Sequence, residues 1–176
     1  MKTKFVSVIL AVVFITFSCN KVDDLLTFEF DQKVSTTIPA VANIPEFPVS
    51  IPIPSIETNS SETFENNNTK AEYVKEIKLK RMSMTITAPE NQTFSFLEEI
   101  HIFISTNEDN KIELAWATDI PQDAKKITLS TTDKNLDTYV KSDTYDLDIK
   151  ATVREVFFED VDLDVDMTFQ VTADPL

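Results

Sequence analysis

The chain has 176 residues, 42% of them hydrophobic, and a formal net charge of −14. That length supports one ordinary core, and the acidic balance argues against nucleic acid or an anionic membrane surface as partner, since both need clustered Lys and Arg. Glycine is absent and there is one Cys and one His, which removes the glycine-rich phosphate cradles, any intrachain disulfide and paired-histidine metal sites.

The first stretch, "MKTKFVSVILAVVFITFSCN", carries Lys2 and Lys4, a mostly apolar run from Phe5 to Phe17, then Ser18 and Cys19. The run is too short and wrongly flanked for a membrane span of about 20 residues and reads as an export signal. Its end, "ITFSC", resembles the lipobox of bacterial lipoproteins, in the looser form of Bacteroidota, with Phe17 where a small residue is usual. The resemblance implies that Cys19 is diacylated and becomes the new amino terminus. A thiolate is the nucleophile such acylation needs, and two or three chains at roughly 0.8 kcal/mol per buried methylene hold a protein on a bilayer. The alternative is ordinary cleavage after Ser18, leaving a free thiol. Residues 1–18 are thus a signal peptide, 19–26 a tether, and 27–176 a single domain. Loss of two lysines makes the mature charge −14 − 2 = −16.

Period-2 alternation dominates the domain. Leu26, Phe28, Phe30, Val34, Thr36 and Ile38 share one parity, so 26–38 is a half-buried strand. In "FPVSIPIPSI" the prolines 48, 52 and 54 alternate with Val49, Ile51 and Ile53, which places the missing N–H donors on one side and predicts a protected edge strand. The Asn-rich stretch 57–70 has no periodicity and reads as a flexible polar loop pinned by Phe64. It holds two N-x-S/T sequons, at Asn59 and Asn67, and a third lies at Asn91; these matter only in a eukaryotic secreted protein.

In "VKEIKLKRMSMTIT" the apolar parity changes between Leu79 and Met82, which predicts a bulge near Lys80-Arg81, as where a strand crosses between sheets. Short strands follow around Ile100–Ile104, Ile112–Trp116 and Ile127–Leu129. Without glycine, turns fall to Asn and Asp, as at 89–92 and 106–111. A short helix is expected at 133–141, capped by Thr132 or Asp133, with Leu136, Tyr139 and Val140 on one face. Tyr145–Val153 and Val161–Val171 complete about eight strands. The fold class is all-β, an antiparallel β-sandwich immunoglobulin-like in general architecture. The segments "ITAPENQTFSFLEEIHIFIS" and "DKNLDTYVKSDTYDLDIKATV", in the last 100 or so residues, are similar to uncharacterised bacterial envelope lipoproteins.

The candidate sites are few. "DVDLDVDM" sets Asp160, Asp162, Asp164 and Asp166 along one strand face, where successive carboxylates lie about 6.6 to 7 Å apart and do not wrap a calcium ion needing six to eight oxygens. A hairpin of 144–154 with 160–171 would place Lys150 and Arg154 opposite them as exposed ion pairs. His101 reads as a hydrogen-bonded rim residue, Glu98 and Glu99 as turn residues, and Trp116 as core. Phe94, Phe96, Leu97, Phe157 and Phe158 either close the ends of the core or form an apolar rim for a lipid, glycan or protein.

The expected function is a non-enzymatic, lipid-anchored protein of the cell envelope, at the outer membrane, with a structural, adhesion or partner-binding role. It has no cofactor, no metal, no nucleic-acid partner, and a membrane contact through acylated Cys19. The alternative is a calcium- or carbohydrate-binding module; an enzyme could work only through carboxylates.

Overall fold

The computed structural model describes residues 25–44 and 47–176; the signal stretch, Cys19 and most of the tether lie outside the described residues. The strands are β1 Leu26–Ile38, β2 Val49–Pro52, β3 Ile56–Glu57, β4 Val74–Ala88, β5 Leu97–Ser105, β6 Ile112–Ala117, β7 Lys126–Thr131, β8 Thr144–Val153 and β9 Val161–Ala173. Two short helices, α1 Ser60–Asn66 and α2 Asp137–Val140, join them.

β9 alternates through its whole length, burying Val161, Leu163, Val165, Met167, Phe169 and Val171. It pairs antiparallel with β1 from Leu26↔Ala173 to Ile38↔Val161 and on its other side with β4. The strand order is β1-β9-β4-β7-β6-β5-β8-β2. β7 is the corner: residues 126–129 pair with β4, and residues 130 and 131 with β6. The path therefore folds into two layers, β1-β9-β4-β7 and β6-β5-β8-β2, over one shared core. This is an antiparallel β-sandwich with the strand order of a jelly roll, in which β1–β2, β4–β5, β6–β7 and β8–β9 each step from one layer to the other.

That order overturns the hairpin expected from β8 and β9. β8 pairs instead with β5, β2 and β3. Both strands carry an apolar stripe along their length, and placing them in opposite layers buries the two stripes in the same core while giving each strand partners on both sides.

The proline strand is an edge, as expected. Ile53 donates its N–H to Leu147 of β8, so the backbone nitrogens of equal parity face β8 and those of positions 48, 52 and 54 face the open side. The bulge in β4 is also present, as a register shift between Leu79 and Arg81; but β4 stays beside β9 throughout, and β7 is the strand that changes sheet. The bulge in β6, between the Ile102–Ala115 and Phe103–Glu113 pairs, was not foreseen. It buries Leu114 and Ala115 in succession and turns Trp116 outward, half-buried opposite His101, so Trp116 is not core.

The stretch 57–70 is not an open loop. It forms β3 and α1, with Asn59 and Asn68 supplying the left-handed turns at φ 47° and 56°. A seven-residue helix shows no repeat by which to recognise it; its anchor is Phe64, fully buried. α2 is shorter than expected, and neither Thr132 nor Asp133 caps it. Asn135 accepts from the N–H of Asp137 at 3.2 Å and of Ile77 at 2.9 Å, and Leu136 donates to Ile77 at 2.7 Å. The helix thereby covers the part of β4 that β7 leaves open, with Leu136, Tyr139 and Val140 buried. Gln32 faces inward on β1, accepting from the Tyr145 hydroxyl of β8 at 2.9 Å and donating to Glu57 at 2.9 Å. Burial pushes that hydroxyl's pKa up, so it is a neutral donor tying the layers together.

Phe64→Ala is expected to lower unfolding free energy by about 3 to 5 kcal/mol in urea denaturation; a flexible loop would lose almost nothing.

Candidate functional site

The aspartate row lies on the outer face of the β1-β9-β4-β7 layer, and its partners come from β1 and the residues just after it. Lys33 pairs with Asp164 at 2.7 Å, Ser35 donates to Asp164 at 2.7 Å and Thr37 to Asp162 at 2.6 Å. Asp160 accepts the Ala40 N–H at 2.8 Å. The hydrogen bond from Lys33, then that from Ser35, holds the Asp164 carboxyl below its usual range, and the same contact raises Lys33. Lys150 and Arg154 are elsewhere: Lys150 sits over the Phe103 ring at 5.3 Å, and Arg154 donates its guanidinium to the carbonyls of Leu97 and Ile120. Carboxylates already bonded to hydroxyls, an ammonium and an amide are not a calcium cage; among the described residues no group of three metal-ligating side chains occurs.

The outer face of the other layer carries His101, whose Nδ1 lies 2.5 Å from Glu113 and whose Nε2 lies 3.9 Å from Glu99. The two carboxylates flank opposite sides of the ring, so they orient it and do not converge on one reacting atom. Glu99 also accepts from Thr152 at 3.0 Å; it belongs to β5, where a turn was expected.

Arg154 belongs to one end of the sandwich, where residues 39–44 and 47–48 meet the connections 89–96, 118–125 and 154–160. Phe94, Phe96 and Leu97 are buried there, and Phe157 packs on Phe96 with centroids 4.4 Å apart. These four close the core. Phe157 exchanges backbone hydrogen bonds with Val41 in both directions, so its neighbours turn the other way: Val156 is 37% and Phe158 78% exposed. The facing connection adds Ile44 at 54% and Phe47 at 77%. The Val41–Phe157 bridge joins the two connections, so these four exposed apolar residues, far apart in sequence, lie at the same end of the sandwich; the prolines around Phe47 hid its contribution from pattern reading. Exposed Glu155, Glu159 and Asp160 border this apolar tip.

No protein-family profile and no curated protein matches this chain. Solved structures similar to it include the "BFDV Capsid Protein" in a 60-mer crystal, at 9% identity and a TM-score of 0.47 over 86% of this chain and 94% of that one. The decameric form of the same capsid protein matches at 8% and 0.43, over 85% and 98%. Desmodium yellow mottle tymovirus matches at 10% and 0.31, over 86% and 89%. The fold assignment rests on the strand order itself.

Lys33→Met should raise the Asp164 pKa toward the ordinary carboxylate value in an NMR titration. Because the folded pKa is depressed, the pair's stabilisation is present above the unfolded aspartate pKa and fades as pH falls through the folded one; an unchanged Asp164 titration in the variant would refute the pairing.

Proposed function

We propose that this chain is a non-enzymatic, lipid-anchored protein of the cell envelope, exported and held at the outer membrane by acylated Cys19, whose task is to dock a protein partner. The observation that carries the docking role is the exposed apolar tip of Ile44, Phe47, Val156 and Phe158. Single exposed apolar residues are ordinary, but four large ones gathered at one end of a strongly acidic chain mark an interaction surface.

Its position supports the reading. Leu26 begins β1 at one end of the sandwich and Ile38 ends it at the other, so a 13-residue strand, roughly 40 Å long, separates the tether from the tip. An anchor at Cys19 would leave the tip facing away from the membrane that holds it. The partner's chemistry is set by the border: Glu155, Glu159 and Asp160 favour an apolar recess ringed by Lys or Arg, and disfavour an anionic bilayer. The same acidity opposes tip-to-tip contact between two copies.

Cys19→Ala is expected to move the protein from the membrane to the soluble fraction and to abolish labelling by a fatty-acid analogue; persistence in membranes would sink the anchor. A photo-crosslinking side chain at position 158 should give discrete protein adducts in cells that Glu155→Lys with Glu159→Lys suppresses, while the same probe at position 33 gives none. Adducts to lipid alone would overturn the docking role.

A further inference from the structure

The outer face of the β1-β9-β4-β7 layer holds a shallow depression of about 520 Å3, lined by Asp31, Lys33, Arg81, Ser83, Lys126, Thr128, Asp166 and Thr168 among others. On a chain with 30 acids and 16 bases, it gathers three cations. The β4 bulge is responsible for one: the register shift after Leu79 brings Arg81 opposite Thr168 on this face.

Half of the polar groups are already committed. Thr168 donates to Asp31 at 2.6 Å and accepts from Arg81 at 3.1 Å, and Lys33 is paired with Asp164. Asp166, Ser83, Thr128 and Lys126 make no side-chain hydrogen bond or close ion pair among the described residues, although Lys33 stands across from Asp166 in register and is attracted by it. They lie side by side: Asp166 pairs in register with Ser83, Ser83 with Thr128, and Lys126 is two residues along β7. Ser83 is 5% exposed and forms the floor, while Thr128 and Lys126 stand exposed at one wall.

We propose that this depression is a saccharide-binding site, with Asp166 accepting from ring hydroxyls on one side, Lys126 and Thr128 bonding hydroxyl or ring oxygens on the other, and Ser83 bonding from the floor. Three physical points select that ligand. With Lys33 and Asp164 neutralising each other, Arg81 and Lys126 balance Asp31 and Asp166, so the site has no net charge with which to prefer an anion or a cation. The free groups include an acceptor-only carboxylate and a donor-only ammonium; a hydroxyl, both donor and acceptor, serves either. β9 and β7 are two strands apart, roughly 9 to 10 Å, a gap that a pyranose closes with one hydrogen bond at each side. Among the described residues no aromatic ring lines the depression, so stacking contributes nothing and binding to a single sugar is weak, in the millimolar range.

The test titrates the full chain with methyl glycosides of glucose, galactose and mannose, and separately with inorganic phosphate and calcium chloride, following backbone amide shifts of β4, β7 and β9. At least one glycoside should move amides around Ser83, Thr128 and Asp166, with affinity falling about tenfold in Asp166→Asn and in Lys126→Met at unchanged melting temperature. Phosphate or calcium moving those amides while no glycoside does would make this an ion site and overturn the proposal. Silence toward all glycosides, or a glycoside response that both variants retain, would overturn it equally.

Discussion

Everything in this protein hangs on β9 lying between β1 and β4. The strand pairs along all 13 residues with β1 without a register shift, and with β4 through three shifts. Its inward side, from Val161 to Ala173, is buried throughout. Because side chains alternate strictly, slipping either neighbour by one residue would carry an apolar set to water and a polar set into the core. That requirement fixes both faces of the layer at once: the core beneath, and the Asp, Ser, Thr and Lys lattice above.

Placing β9 there has a consequence for β8. Consecutive strands of similar length are the natural hairpin, yet here they oppose each other across the core, and the connection between them becomes part of the sandwich end. Phe157 turns into the core against Phe96 and Phe158 turns out. Arg154, at the start of the same connection, ties it to the carbonyls of Leu97 and Ile120. The apolar tip is thus a by-product of layer crossing, mounted on a well-bonded base, which is the rigid support a docking surface needs.

Two of the register shifts then decide which side chains reach which surface. The one after Leu79 delivers Arg81 to the polar face, where it donates to Thr168, which in turn donates to Asp31. The one at Leu114 turns Trp116 from the core to the outer face beside His101. Each adds a single residue to one strand and inverts the parity of the residues beyond it. The three regions of functional interest differ accordingly in chemistry: an apolar, acid-bordered tip distal to the tether, a charge-balanced depression on one outer face, and a His101–Glu113 pair with Trp116 on the other.

The sequence by itself determined the class of fold and the face of nearly every strand, because alternation such as Val161-Asp162-Leu163-Asp164 reports one dry side and one wet side without reference to partners. It also determined the proline edge, since a missing N–H is a covalent fact, the bulge near Lys80-Arg81, and the burial of Phe64, Leu136 and Val140. Alternation says nothing of which strand lies alongside, so partnership was left to the tertiary structure. Lys33, Ser35 and Thr37, 125 or more residues away, took the places expected for Lys150 and Arg154 beside the aspartates. The same holds for both candidate sites: the tip joins connections around residues 44 and 156, and the depression joins Asp166, Ser83 and Lys126 from three strands. Such groupings depend on strand order, which arises from how two apolar stripes best cover one another and has no signature in any local stretch of chain.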